Sequence, residues 1–286
     1  MIKKIFTIVI PTLNEEKYLP RLLNDIAKQT FPKDLFEVIH VDGNSDDKTV
    51  EVASEFSEEI NLKSIVVNKR NVSFQRNTGA EKAKGEWIIF MDADNQLPTY
   101  FLDGIKYQLA KNKKTDIFTT WSAAKKITSI ESSITRLLNI GLEVYNSSGK
   151  PSAFGAMIGV KKPIMDNIKF DETQKFMEDT FFVQSVHDAG HQFSIFQEPR
   201  YIFSMRRYRQ EGTFKFVSNG ALLQLKFLQG KEFKDEERYK MDGGTYYDKI
   251  APSLFKNIIS QAKKMPLQQL KMARKILKNI NEELGV

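Results

Sequence analysis

The chain has no cysteine among its 286 residues, and only three histidines and two tryptophans. Without cysteine there is no disulfide and no thiol nucleophile, and the commonest ligands of structural zinc are missing. Long hydrophobic runs are absent too: no stretch approaches the ~20 uninterrupted apolar residues that span a bilayer. Met1-Ile2-Lys3-Lys4-Ile5 leads straight into a strand-like run without the pattern of a cleavable signal, so the expectation is a cytoplasmic protein. There is no internal repeat and no low-complexity linker. What remains is ordinary for a globular chain able to bury a sizeable core, with 41% apolar and 28% charged residues.

Negative charge is scarce in one region only. From Arg200 to Val286 there are 18 Lys/Arg against 9 Asp/Glu, whereas the residues before carry 25 against 27. All of the net charge of +7 therefore comes from the last third. Such a bias attracts phosphorylated ligands, an anionic membrane face or nucleic acid, and a merely solvated, lysine-rich helical surface produces it as well.

The most informative segment is Phe90-Met91-Asp92-Ala93-Asp94-Asn95. Alternate residues of a strand share a face, so Asp92 and Asp94 are expected to point the same way where the strand runs out. Two carboxylates so placed repel unless a cation joins them. Hard divalent ions such as Mg2+ or Mn2+ take oxygen ligands and leave positions open for a substrate's phosphates. An Asp-rich turn whose side chains bond nearby amides is the plainer account of the same letters.

Strand-like and helix-like runs alternate through the first half, the pattern of a mostly parallel sheet covered by helices. Phe6 to Ile10, ended by Pro11, predicts a buried strand. Leu19, Leu22, Leu23 and Ile26 then share a helical face, with Asn14 as N-cap. Phe36 to Val41 is the second predicted strand, and Ser45 caps a helix burying Val50, Val52, Ala53 and Phe56. Leu62 to Asn68 is a strand, Ser73 to Lys84 a helix stopped by Gly85, and Glu86 to Met91 the strand that delivers the two aspartates. Further on, helices are expected at Thr99 to Asn112, Ile130 to Tyr145 and Glu178 to Ala189, the last closed by Gly190. Strands are expected at Asp116 to Thr120, Ala156 to Val160, Phe193 to Phe196 and Tyr201 to Met205. From Thr213 the pattern is helical. Open α/β sheets bind ligands at the carboxyl ends of their strands. Three such ends, Thr12 to Glu15, Asp42 to Ser45 and Asp92 to Asp94, should therefore line one crevice.

Four segments together resemble the inverting nucleotide-sugar glycosyltransferases of family 2, whose fold is called GT-A. They are Ile8-Val9-Ile10-Pro11-Thr12-Leu13-Asn14-Glu15, Val41-Asp42-Gly43-Asn44-Ser45-Asp46-Asp47-Lys48-Thr49, Arg76-Asn77-Thr78-Gly79 with Ala83-Lys84-Gly85-Glu86-Trp87-Ile88, and Phe90-Met91-Asp92-Ala93-Asp94. Each is weak alone; their order and spacing make the set specific. The resemblance implies a Rossmann-like, mostly parallel sheet flanked by helices over residues 1–212, divided into a nucleotide-binding half (1–100) and an acceptor and base half (101–212). A basic helical extension, 213–286, would follow.

It also implies roles. Pro11, Thr12 and Glu15 match the loop that touches the nucleoside, Asp42 the aspartate that hydrogen-bonds the base, and Arg76 an arginine near the donor. Asp92 with Ala93 would face the ribose, Asp94 would be the direct metal ligand with Asp92 sharing it, and the metal would be Mn2+ or Mg2+. Phe176-Met177-Glu178-Asp179 resembles the family's Glu-Asp pair, making Asp179 the general base; acidic residues at a helix start are also favoured by the macrodipole alone. Arg206 and Arg207, after the last predicted strand, suit a departing diphosphate because the guanidinium fork donates two hydrogen bonds at once. His187 and His191 read as helix and cap residues.

The implied activity is metal-dependent transfer of one sugar from a UDP- or GDP-type donor to a hydroxyl acceptor, lipid-linked or on a glycan, with no nucleic acid involved. Where many members have Asp-Asp-Gly-Ser, this chain has Asp42-Gly43-Asn44-Ser45, and the Gln-x-x-Arg-Trp signature of processive synthases is missing. Two other functions fit less of the pattern. A sugar-phosphate nucleotidyltransferase would carry a glycine-rich loop after the first strand, which Pro11 to Glu15 lacks. A catalytically silent GT-A-like protein would bind through its basic tail, where Phe255, Ile258, Ile259 and Ala262 among lysines suit an amphipathic helix lying peripherally at the inner membrane face, or packed on protein.

Overall fold

The structure is a computed structural model and describes residues 3–125 and 130–206. The chain divides into two compact units. All described residues belong to the first, except Arg206, which belongs to the second. Arg207 and the expected C-terminal helices lie outside the described residues.

In chain order the elements are β1 (Phe6–Thr12), α1 (Leu19–Ala27), β2 (Phe36–Asp42), α2 (Thr49–Ser54), β3 (Leu62–Val66), α3 (Val72–Lys82) and β4 (Trp87–Met91). These are followed by α4 (Phe101–Lys111), β5 (Ile117–Ala123), α5 (Ile130–Ser147), β6 (Met157–Lys161), α6 (Lys162–Met165), α7 (Glu178–Asp188) and β7 (Phe193–Ile202). The strands form one sheet in the order β3-β2-β1-β4-β6-β5-β7. Only β6 runs against its neighbours, β4 and β5. The expected mostly parallel sheet is therefore what forms.

Every residue of β1, β2 and β4 is buried, as in a sheet covered on both faces. Alternation along β4 divides the core. Trp87, Ile89 and Met91 join Phe6, Ile8, Leu22 and Phe101 on one face, whereas Ile88 and Phe90 join Val9, Ala80, Phe182 and Val186 on the other. The predicted stripe Leu19, Leu22, Leu23, Ile26 is wholly buried.

Four local expectations change, each for a reason of hydrogen bonding. β1 runs through Pro11 to Thr12. The Thr12 carbonyl accepts from the Gly43 amide on the β2 side, so the Pro11 nitrogen faces the other way, where the β1–β4 ladder has already ended at Val9 and Phe90. No ladder bond is lost to the proline. Asn14 does not cap α1, which starts after Tyr18; it sits in the left-handed region at φ 56°. Ser45 does not cap α2 either; Asp47 accepts from the Thr49 amide and hydroxyl instead. The two predicted strands Phe193–Phe196 and Tyr201–Met205 are one strand, β7, whose register against β5 shifts between Thr120 and Ser122. At α7, Gly190 adopts φ 90° as predicted, and its amide closes on the His187 carbonyl.

The order β2-β1-β4 creates a switch point. Chain connections leave β1 toward β2 on one side and β4 lies on the other, and the β1–β4 ladder opens beyond Val9 and Phe90. The carboxyl ends of β1, β2 and β4 flank this opening.

Candidate active site

The first group of predicted residues is a buried clasp joining the ends of β1 and β2 to the middle of β3. The Asp42 carboxylate, with no exposed surface, accepts from the Thr12 hydroxyl at 2.9 Å, the Ser45 hydroxyl at 2.6 Å and the Ser45 amide at 2.7 Å. The Thr12 oxygen also contacts His40 Nε2 at 2.7 Å, and His40 Nδ1 contacts the Ser64 hydroxyl at 3.0 Å. Because a carboxylate only accepts, Thr12 spends its proton on Asp42. His40 must then donate from Nε2 and accept at Nδ1, a neutral ring in one tautomer. Burial pushes the His40 pKa down to about 4, against the opposing charge of Asp42.

Asn14 completes the clasp: its amide donates to the Ser45 oxygen at 2.8 Å and its side chain accepts from the Asp46 amide at 2.7 Å. The neighbouring Glu15 amide donates to the Thr49 hydroxyl at 2.8 Å, and the Glu15 side chain is half-buried. Pro11 and Thr12 are buried beneath them.

The second group gathers around Arg76, whose side chain is 2% exposed. One guanidinium nitrogen donates to Glu178 at 2.8 Å; the other donates to Asp92 at 3.3 Å and to the Gly155 carbonyl at 3.1 Å. The guanidinium also lies over the Phe170 ring, 5.2 Å from its centroid. Its pKa is raised: desolvation opposes the charge, but Glu178, Asp92 and Asp179 outweigh it. Arg76 is therefore a structural cation inside the site rather than an exposed arm.

Asp179 opens α7. Its carboxylate accepts from the Thr180 amide at 2.6 Å and from the Gly155 amide. The Gly155 peptide thus holds Asp179 with its N–H and Arg76 with its carbonyl. A methyl at Gly155 would come within 2.6 Å of the Arg76 guanidinium and 3.1 Å of Asp179, so only glycine fits. Desolvation first and the charge of Glu178 second push the Asp179 pKa up to about 7, with Arg76 pulling against them.

Asp92 and Asp94 are half-exposed and alternate with buried Ala93 and Asn95. Both stand beyond the end of β4 at Met91, in a turn closed by the Asn95 amide on the Asp92 carbonyl at 3.2 Å. Although 39% of the Asp92 side chain is open, desolvation by the chain around it raises its pKa; Arg76 lowers it and Asp94 raises it further. Asn95 anchors the turn by donating to the Ala156 carbonyl at 2.6 Å. The charge of Asp94 acting on Asp92, and the hard oxygen chemistry of both, fit a divalent cation. Among the described residues no group of three or more His, Asp or Glu forms a complete cage, so such an ion would complete its shell with substrate oxygens or water.

Consecutive residues of α3 serve both groups. Gln75 donates to the Thr12 carbonyl at 2.6 Å and the Val41 carbonyl at 2.9 Å, while Arg76 serves the acidic cluster. His40, Gln75 and Gly155 are residues that sequence reasoning missed. A signal existed for Gln75: α3 buries Ser73, Gln75, Arg76 and Asn77, an unusually polar set for an inward helix face. His191 lies 3.7 Å from Asp116, a separate pair. His187 lends its carbonyl to the end of α7.

The model of glycosyl transferase family 2 matches residues 7–167. The chain is 26% identical over 230 residues to the poly(ribitol-phosphate) beta-N-acetylglucosaminyltransferase TarS of Staphylococcus aureus, covering 74% of this chain and 38% of TarS. It is 37% identical over 90 residues to the glycosyltransferase AglE of Haloferax volcanii, covering 31% of this chain and 30% of that one. It thus spans well under half the length of these relatives. Among solved structures, TarS in complex with UDP-GlcNAc aligns with a TM-score of 0.56 at 23% identity, over 69% of this chain and 57% of that one. A mannosyltransferase from Pyrobaculum calidifontis in complex with GDP-Man and Mn2+ aligns with a TM-score of 0.60 at 19% identity, over 77% and 65%. These two likenesses show the fold, a GT-A sheet. With a family model covering more than half of the sequence and a sheet whose switch point gathers its motifs, the chain belongs to glycosyl transferase family 2.

Proposed function

We propose that this protein transfers a single sugar from a nucleoside-diphosphate donor to a hydroxyl acceptor with inversion at the anomeric carbon, and that it uses a divalent metal. The observation that carries the reading is the buried Arg76 guanidinium bonded at once to Asp92 and to Glu178, the neighbour of Asp179. It ties a metal- and phosphate-type carboxylate pair to a base-type carboxylate within one cluster. Single-step inversion needs that combination: a leaving diphosphate on one side of the sugar, a proton acceptor on the other.

In this reading Asp179 takes the proton of the attacking hydroxyl. Its pKa near 7 leaves it a stronger base than an ordinary carboxylate while still ionised in a useful fraction at neutral pH. The Gly155 amide holds it in place directly, and Arg76 in turn fixes the Gly155 carbonyl and Glu178. Asp94, with Asp92, would hold Mn2+ or Mg2+, which supplies positive charge against the diphosphate's oxygens when bound. Thr12 and Asp42, preset by His40 and Gln75, shape the nucleoside end, and the donor is a UDP- or GDP-linked sugar. The basic C-terminal region suits an acceptor or membrane surface of negative charge.

The test is a thermal-shift titration with UDP, GDP and their sugars, with and without Mn2+, followed by transfer to a polyol or glycan acceptor and analysis of the product anomer. Metal-dependent stabilisation by one nucleoside diphosphate and an inverted product are expected. Retention of the anomeric configuration, or binding indifferent to metal, would sink the reading.

A further inference from the structure

Tyr201 has no place in the mechanism above, yet it lies at its centre. It sits near the end of β7, has no exposed surface, and its hydroxyl has no hydrogen-bond partner. The strand is tied to the acidic turn by the paired bonds between Gln96 and Ile202, at 3.1 and 2.8 Å. The Tyr201 ring packs in the same cluster as Ala93, Leu97 and Ala156. Burial, and then the charges of Asp92, Asp179 and Asp94, hold the phenol far above its usual range, so the hydroxyl stays a neutral donor. Ala156, packed in the same cluster, accepts from the Asp92 amide at 3.1 Å and from Asn95 at 2.6 Å, and the adjoining Gly155 holds Asp179 and Arg76. The ring therefore packs against the segment that joins the proposed metal pair to the proposed base.

A buried hydroxyl without a partner destabilises the free fold, and such groups persist where function uses them. A carboxylate could satisfy this one, but Asp92 is turned to Arg76 and Asp179 to the Gly155 and Thr180 amides. The rings beside it are side chains able to rotate: Phe203 meets it edge-on at 6.4 Å, and half-buried Phe154 stands 6.3 Å from Phe203. Resting on the function proposed above, we propose that Tyr201 is a further binding residue, whose hydroxyl donates a hydrogen bond to an oxygen of the transferred sugar and gains its partner only when the donor binds. Such a bond selects for the sugar and not for the nucleotide.

Tyr201→Phe removes only the oxygen. Affinities are measured with Mn2+ for UDP against UDP-GlcNAc and for GDP against GDP-Man, using whichever pair the unaltered protein binds, and Tm is measured without ligand. The expected result is a loss of about tenfold in nucleotide-sugar affinity, with nucleoside-diphosphate affinity kept within about twofold and Tm unchanged or raised. An unchanged ratio of the two affinities overturns the inference. So does a Tm lowered by several degrees, which would mean that the hydroxyl is bonded inside the fold. An unaltered protein that binds no nucleotide sugar removes the proposed function itself, and the inference with it; a protein that binds the sugar equally well with and without the oxygen removes the inference alone.

Discussion

Asp179, Asp94 and Asp92 are all aspartates, yet their surroundings give them different chemistry. Asp179 is desolvated and crowded by Glu178, so its proton affinity is high for a carboxylate even though two backbone amides and Arg76 pull against it. Replacing it with Asn keeps the shape and one of the two amide contacts, because only one of its atoms can accept, and removes the base. Donor binding by Asp179→Asn should match the parent protein, while the transfer rate falls by about 10² to 10⁴; near-normal turnover would refute the assignment. In the parent protein the acid limb of the rate profile is expected near pH 7, the region in which Asp179 loses its proton. Asp94→Ala should instead abolish the metal dependence of donor binding, read by titrating Mn2+ at fixed UDP or GDP, with little change in Tm because the side chain is half-exposed. The Asp-x-Asp spacing was legible from the letters, although strand alternation does not set it: β4 ends at Met91 and both aspartates stand in the turn that the Asn95 amide closes on the Asp92 carbonyl. The resemblance supplied their expected roles; what the letters did not show is that Arg76 bonds Asp92 and Glu178, the neighbour of Asp179, at once.

At the scale of elements, the carboxyl ends of β1 and β2 are joined to the middle of β3 by the chain Ser64, His40, Thr12, Asp42 and Ser45. This chain works only with a neutral His40. Its folded pKa of about 4 lies below its ordinary value of 6.5, so the contribution is complete above pH 6.5. As pH falls from 6.5 toward 4 the unfolded state takes up a proton that the folded state refuses, and stability declines. The span corresponds to about 3 kcal/mol. Urea titrations at pH 7 and pH 4 should show this loss in the parent protein, and His40→Leu, less stable at pH 7, should show a correspondingly shallower dependence. Equal pH dependence in both would assign the acid loss to other groups. Element positions were largely readable, because buried strands and the α1 stripe follow apolar periodicity. The ends were misread where side chains bind across elements: Asn14 and Ser45 looked like helix caps locally but are used by a neighbouring loop.

For the molecule as a whole, Arg76 connects the turn after β4 to the start of α7, which carries the proposed base. Its bond to Glu178, with side chains 2% and 6% exposed, spans 102 positions in sequence. A buried pair is not a strong source of stability in itself, but breaking one leaves a charge without compensation. Arg76→Met should therefore cost roughly 3–5 kcal/mol in denaturant titration. Adding Glu178→Gln should restore a good part of that loss without restoring activity. Full additivity of the two substitutions would show that the pair does not couple the two segments.

The sequence by itself determined the sheet, its helices and the chemical kind of the site. Apolar alternation specifies buried strands, and the spacing of Pro11 to Glu15, Asp42 and Asp92 to Asp94 at strand ends specifies where polar chemistry collects. Only the tertiary structure decided that Arg76 is buried among three carboxylates, that the Gly155 peptide links it to Asp179, and that Tyr201 is buried beside Ala93 and Ala156 with an unpartnered hydroxyl. Those facts depend on which residues a fold brings together across scores of positions, and on the desolvation and mutual charge that then set their proton affinities. Neither is written in the local order of side chains.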